Sequence, residues 1–140
     1  MALQMDAAEL MRFLEKVFPQ VRDDFEVQAL SENEIVMRLN VQDKHLRPGG
    51  TVSGPSMFAL ADCSAYAMVL ARIGRQALAV TTGCSMDFMR KPAATTDLIA
   101  SCKLLKLGRS LAVCDILIYS EGNEAPAARA SMTYSLPPKR

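Results

Sequence analysis

The sequence predicts an α+β domain in which one antiparallel sheet of about six strands wraps around a central buried helix, with a further helix at the N-terminus. Three observations carry that prediction. Hydrophobic spacing changes from a helical to an alternating period near residue 25, an apolar helix-length run follows a Gly/Pro-rich loop, and alternation returns after Gly74 for the rest of the chain. The 140 residues suit one domain, read as residues 1–140, and a chain of this length buries about two thirds of the surface its unfolded form exposes.

The elements follow in order. Leu10, Phe13, Leu14 and Val17 recur at three- and four-residue spacing, and Pro19 ends that first helix. Phe25, Val27 and Ala29 alternate with polar residues, as do Ile35, Met37, Leu39 and Val41 after the turn Ser31-Glu32-Asn33-Glu34, which predicts a hairpin. The central helix is placed from Pro55 to about Arg72, with Gly54 at its cap, because proline suits a first helical position whose N–H would have no partner. Met57, Phe58, Leu60, Ala61, Tyr66, Met68, Val69 and Leu70 leave it no polar face, so burial on most sides is expected. A membrane span is disfavoured, since the run falls short of about 20 residues and carries Asp62 midway. Four strands complete the chain: Leu78 to Phe88, then about 96–107, 110–120 and 127–136, joined at Leu107-Gly108-Arg109 and Glu121-Gly122-Asn123-Glu124.

Composition excludes several function classes. With 16 basic and 15 acidic residues and no long basic cluster, nothing here tracks a nucleic-acid backbone. The start, MALQMDAAELMRFLEKVF, has acids inside an amphipathic pattern and no unbroken apolar stretch, so a cytoplasmic protein is expected. Cys63, Cys84, Cys102 and Cys114 form no CxxC pair, and with His45 the single histidine they match no metal-ligand spacing; four small buried thiols are expected, with no metal and no cofactor.

The stretch PGGTVSGPSMFALAD, residues 48–62, poses the functional question, because it sets a carboxylate within an apolar helix just after a glycine-rich loop. Hydrolysis of an activated acyl group needs donors aimed at the carbonyl oxygen and a base or nucleophile on the carbon side. The N–H of Gly54 at a helix start supplies the donor, and Asp62 the base or nucleophile. The bland alternatives are a structural carboxylate bonded to backbone or to Tyr66, and a loop whose glycines merely make a turn. Ser53 does not sit in a Gly-x-Ser-x-Gly elbow, and Cys63 points about 100° away from Asp62 on the helix, so neither is read as a nucleophile.

Loop and element order together resemble the hotdog-fold acyl-CoA thioesterases, in particular their phenylacetyl-CoA thioesterase-like branch, over almost the whole chain. That branch reads Asn-x-x-Gly-x-x-His-Gly-Gly before the helix. Here Arg47, Gly50, Ser53, Gly54 and Pro55 hold the matching positions, followed by Leu60-Ala61-Asp62. Thr81-Thr82 and Phe88-Met89-Arg90-Lys91-Pro92 are similar to its later features, with one extra residue before the proline. The resemblance implies a hotdog fold and hydrolysis of a small or medium acyl-CoA, aryl or alkyl. It implies that Arg47 stands where Asn holds the carbonyl, able to meet the thioester or a CoA phosphate, and that Thr81 helps orient water. The expected catalytic set is Asp62, Gly54, Arg47 and Thr81; Ser53, Phe58, Tyr66, Arg90 and Lys91 are expected to bind substrate, and Arg109 is a further cation candidate.

Gly54 and Asp62 lie eight residues apart, roughly 12 Å along one helix. They cannot reach one carbonyl together. Two copies with antiparallel central helices would set Gly54 of one chain opposite Asp62 of the other, so a homodimer with shared sites is expected, open to joining as a dimer of dimers. A non-catalytic acyl-CoA-binding module and a hotdog hydratase or dehydratase are the alternatives; the second normally needs a histidine with an acid, and His45 precedes the loop.

Overall fold

The computed structural model describes residues 2–76 and 78–138. Helix α1 (Ala7–Val17) starts at a capping box: Asp6 accepts from the Glu9 N–H at 2.8 Å and Glu9 accepts from the Asp6 N–H at 3.3 Å. It packs on β1 (Phe25–Leu30), the first strand of a hairpin with β2 (Glu34–Leu39). The long helix α2 (Gly54–Ile73) leads to β3 (Val80–Phe88), β4 (Leu98–Leu107), β5 (Leu111–Ser120) and β6 (Ala128–Ser135). All strand pairs are antiparallel in the order β1-β2-β4-β5-β6-β3, so β1 and β3 are the sheet's two edges. This is the α+β hotdog architecture expected, with strand ends trimmed by up to two residues.

Alternation decides which face meets α2. Ile35, Met37 and Leu39 of β2, Leu98, Ala100 and Cys102 of β4, Ala112, Cys114, Ile116 and Ile118 of β5, and Ala128, Ala130 and Met132 of β6 are buried against Leu60, Ala61, Ala65, Met68 and Leu70 of the helix. Four alanines and two cysteines on this face keep the sheet surface low, so α2 sits close upon it.

Three expectations need correction. Helix α2 has 20 residues rather than about 18, so it is long and apolar enough to cross a membrane by length and composition; 12 of the 20 are nevertheless buried within the fold. Ser53, not Gly54, is the N-cap. Cys84 is exposed on β3 while the other three thiols are buried, because an edge strand lacks neighbours on one side. Cys63 fits the buried reading: burial first, then the negative charge of Asp62, pushes its thiol up to about 12.

Burial of α2 is also incomplete along one line. Pro55, Phe58, Ala59, Asp62 and Tyr66 are exposed or half-buried, and their spacing of three and four residues makes a single stripe. Beside it runs β3, on which Val80 and Phe88 are exposed and whose outer edge has no strand partner among the described residues.

Candidate active site

The start of α2 is held from behind. Ser53 accepts from the Ser56 N–H at 3.2 Å, its O–H donates to Ser56 Oγ at 2.9 Å, and its carbonyl accepts from Met57 N at 3.1 Å. The His45 carbonyl accepts from Ser53 N at 2.8 Å and from Ser56 Oγ at 3.3 Å. His45 itself is buried, its Nδ1 accepting from Gln42 N at 2.9 Å, which fixes that carbonyl in place. Of the first-turn donors this leaves the Gly54 N–H, which meets no acceptor among the described residues; Pro55 has none to offer. The ring of Phe88 lies against Gly54, since a Cβ there would touch its Cζ at 3.5 Å, so glycine keeps this helix start uncluttered.

The loop ahead turns on two glycines. Gly49 and Gly50 have φ of 103° and 82°, which glycine adopts without strain, and Arg47 N and Thr51 O close the turn at 2.9 Å. Thr51 bridges to Ala93, and Val52 N donates to the Pro92 carbonyl at 3.0 Å, so the loop is laced to the segment that follows β3. Arg47, Gly54, Met57, Phe88, Arg90 and Lys91 consequently line one cleft of about 430 Å³. Arg90 Nη1 donates to the Pro126 carbonyl at 2.6 Å, which anchors its side chain at the cleft. Arg109 stands apart, at the β4–β5 turn and on a different cavity.

Two turns along α2 lies Asp62. Its Oδ1 accepts from Thr81 Oγ1 at 2.6 Å and from Tyr134 Oη at 2.7 Å, while the Asp62 carbonyl also faces Tyr134 Oη at 3.0 Å. Oδ2 receives no hydrogen bond from the described residues. Register explains the convergence: Thr81 and Tyr134 are cross-strand partners of β3 and β6, so their side chains share a face. A bulge between Thr81 and Gly83 makes this possible. Cys84, Met86 and Phe88 share the face of Met132, Ala130 and Ala128, and the extra residue switches parity so that Thr81 joins them. Burial, then the charge of Asp62, raises the Tyr134 phenol well above its ordinary value, so it remains an O–H donor.

The structure therefore brings Asp62 and Thr81 into contact and gathers Gly54, Arg47, Arg90 and Lys91 on one cleft. Ser53 is committed to the helix cap. Phe58 and Tyr66 lie on the uncovered stripe, Tyr66 with its ring stacked on Tyr134 at 6.1 Å between centroids. Tyr134 is the residue that sequence reasoning missed; a tyrosine at the core-facing parity of the last strand, amid Ala128, Ala130 and Met132, is its one signal.

A long helix held across a six-stranded antiparallel sheet places the chain in the class of hotdog-fold proteins, and its relatives within that class are thioester hydrolases. The chain belongs to the thioesterase superfamily, whose family model matches residues 49–127, more than half of it. It is similar to a candidate thioesterase from Silicibacter sp. TM1040, at 64% identity over 99% of this chain and 96% of that one, with a TM-score of 0.93. A candidate esterase of Pseudomonas aeruginosa is 31% identical over 76% of this chain and 78% of its own length. The phenylacetic acid degradation protein PaaI of Thermus thermophilus matches at 27% identity over 85% of this chain and 99% of its own, with a TM-score of 0.74.

Proposed function

We propose that the protein hydrolyses a small or medium acyl-CoA, aryl or alkyl, to the free acid and CoA, at centres built by two copies of the chain. The observation that carries this reading is the Asp62 carboxylate, clamped through Oδ1 by Thr81 and Tyr134 with Oδ2 left for chemistry, on the one uncovered stripe of α2. Oδ2 takes a proton from water as that water attacks the thioester carbon and the thiolate of CoA leaves, giving the acid directly; or Oδ2 attacks the carbon itself, the thiolate leaves, and water then hydrolyses the acyl-Asp62 anhydride to the acid and the free carboxylate. The carbonyl oxygen, negative in the transition state, is met by the Gly54 N–H of the opposite chain at the positive end of its helix.

Exposure of the stripe and of the β3 edge supports a two-fold partner lying there, which would cover Phe58 and Tyr66 and bring Gly54 opposite Asp62. Arg47, Arg90 and Lys91 around the Gly54 cleft supply cations for the CoA phosphates, and the similarity to PaaI, named for phenylacetic acid degradation, favours testing aryl thioesters early. The test is release of thiol from phenylacetyl-CoA and from short and medium alkyl-CoAs. Wild type is expected to release CoA and Asp62→Asn to lose at least about a hundredfold in kcat. Equal rates for the two proteins would defeat the assignment.

A further inference from the structure

A second cavity, of about 860 Å³, lies at the far end of α2, with walls that include Arg72, Ile73, Leu107, Arg109, Leu136 and Pro138. Asp62 is ten residues back along the helix from Arg72, roughly 15 Å by rise alone, and does not line it. The size falls in the range of small-molecule pockets, and its walls are mostly apolar.

Its charge is out of balance. Arg72 is only 8% exposed. Its Nη1 donates to the Glu32 carbonyl at 2.5 Å and to Asn33 Oδ1 at 3.0 Å, both neutral acceptors. Its Nε–H is buried with no acceptor, and neither Arg72 nor Arg109 has a carboxylate partner among the described residues. No aspartate or glutamate stands among the described wall residues. A buried guanidinium without a counter-ion is costly, and an unsatisfied N–H adds to that cost. Nε is sealed from the cavity, whereas Nη2 makes no hydrogen bond among the described residues and is not among the buried atoms, so Nη2–H is the charged donor left for an anion there.

We propose that this cavity binds a small carboxylic acid with an apolar body, the carboxylate taken by Arg72 with Arg109 at the rim and the hydrocarbon laid against Leu107, Leu136 and Pro138. The proposal goes beyond the hydrolytic site and does not depend on it. Octanoate is the probe, titrated into the full-length protein labelled with ¹⁵N, with octanol as the uncharged control. Saturable shifts are expected at the amides of Gly108, Arg109, Ser110 and Leu136. Arg72→Met should weaken octanoate about tenfold or more and Arg109→Ala about threefold, octanol binding being unchanged in both. Asp62→Asn should leave octanoate affinity as in wild type, which separates this cavity from the hydrolytic site. Arg109 is exposed, so its variant tests the idea even if Arg72→Met does not fold. Absence of shifts at these amides up to about 10 mM, equal octanoate affinity in wild type and Arg109→Ala, or octanol binding as tightly as octanoate would each overturn it.

Discussion

If each reaction centre takes its acid from one chain and its backbone donor from another, two inactive variants must rescue one another. Asp62→Asn removes the base, and Gly54→Pro removes the N–H at a first-turn position that tolerates proline. The two positions are eight residues apart on α2, roughly 12 Å, so no single chain can bring both to one carbonyl. Each variant alone should fall to about 1% of wild type or less, the usual cost of losing an oxyanion donor or a base. In a heterodimer of the two, one centre carries both defects and the other carries neither. Random pairing makes half the dimers mixed, so a co-expressed mixture should recover about one quarter of wild-type activity, and a heterodimer isolated with two affinity tags about one half. Thiol release measures both. A heterodimer no more active than its parents, with both parents melting near the wild-type temperature, would refute the shared centre.

Further outcomes follow from the same geometry. Tyr134→Phe, which deletes one of the two donors to Asp62 Oδ1, should lower kcat about tenfold with KM within about twofold, and Thr81→Val should do likewise; steady-state kinetics on both will show whether the clamp matters to the reaction rather than to folding. The Cys63 thiol is raised from 9.0 to about 12 in the native chain, so the unfolded state loses that proton first as pH rises; stability is full below pH 9 and is lost towards pH 12. Cys63→Ala should accordingly show a flatter melting temperature across that window than wild type, by differential scanning fluorimetry. Asp6→Ala breaks the capping box of α1 and should cost about 1 kcal/mol in a urea titration, without altering hydrolysis.

Period and punctuation made the fold legible: the switch at residue 25, the all-round apolar helix and four later alternating runs yielded every strand and both long helices. Gly54 and Asp62 were legible for the same reason, since a proline at a helix start and one acid in an apolar helix are local signals. Tyr134 was not, because its role arises from pairing with Thr81 across strands more than fifty residues apart, and no local pattern encodes register. Strict alternation along β3 would put Thr81 on the side away from Cys84 and Met86, and the bulge after it is an insertion relative to β6 that a single strand cannot announce. The cap lies one residue earlier than expected, at Ser53 rather than Gly54, a boundary difference that commits the Ser53 hydroxyl to the helix and leaves the Gly54 amide available.

The low floor of Ala100, Ala112, Ala128 and Ala130 beneath α2 has a consequence for how substrates are told apart. With the helix seated directly on small, buried side chains, the floor beneath it offers an acyl tail little room. On the proposed reading the tail runs along the seam where two copies meet. Selectivity for ring or chain would then be written twice over in one gene, and any substitution along that seam would reshape both walls of the slot at once.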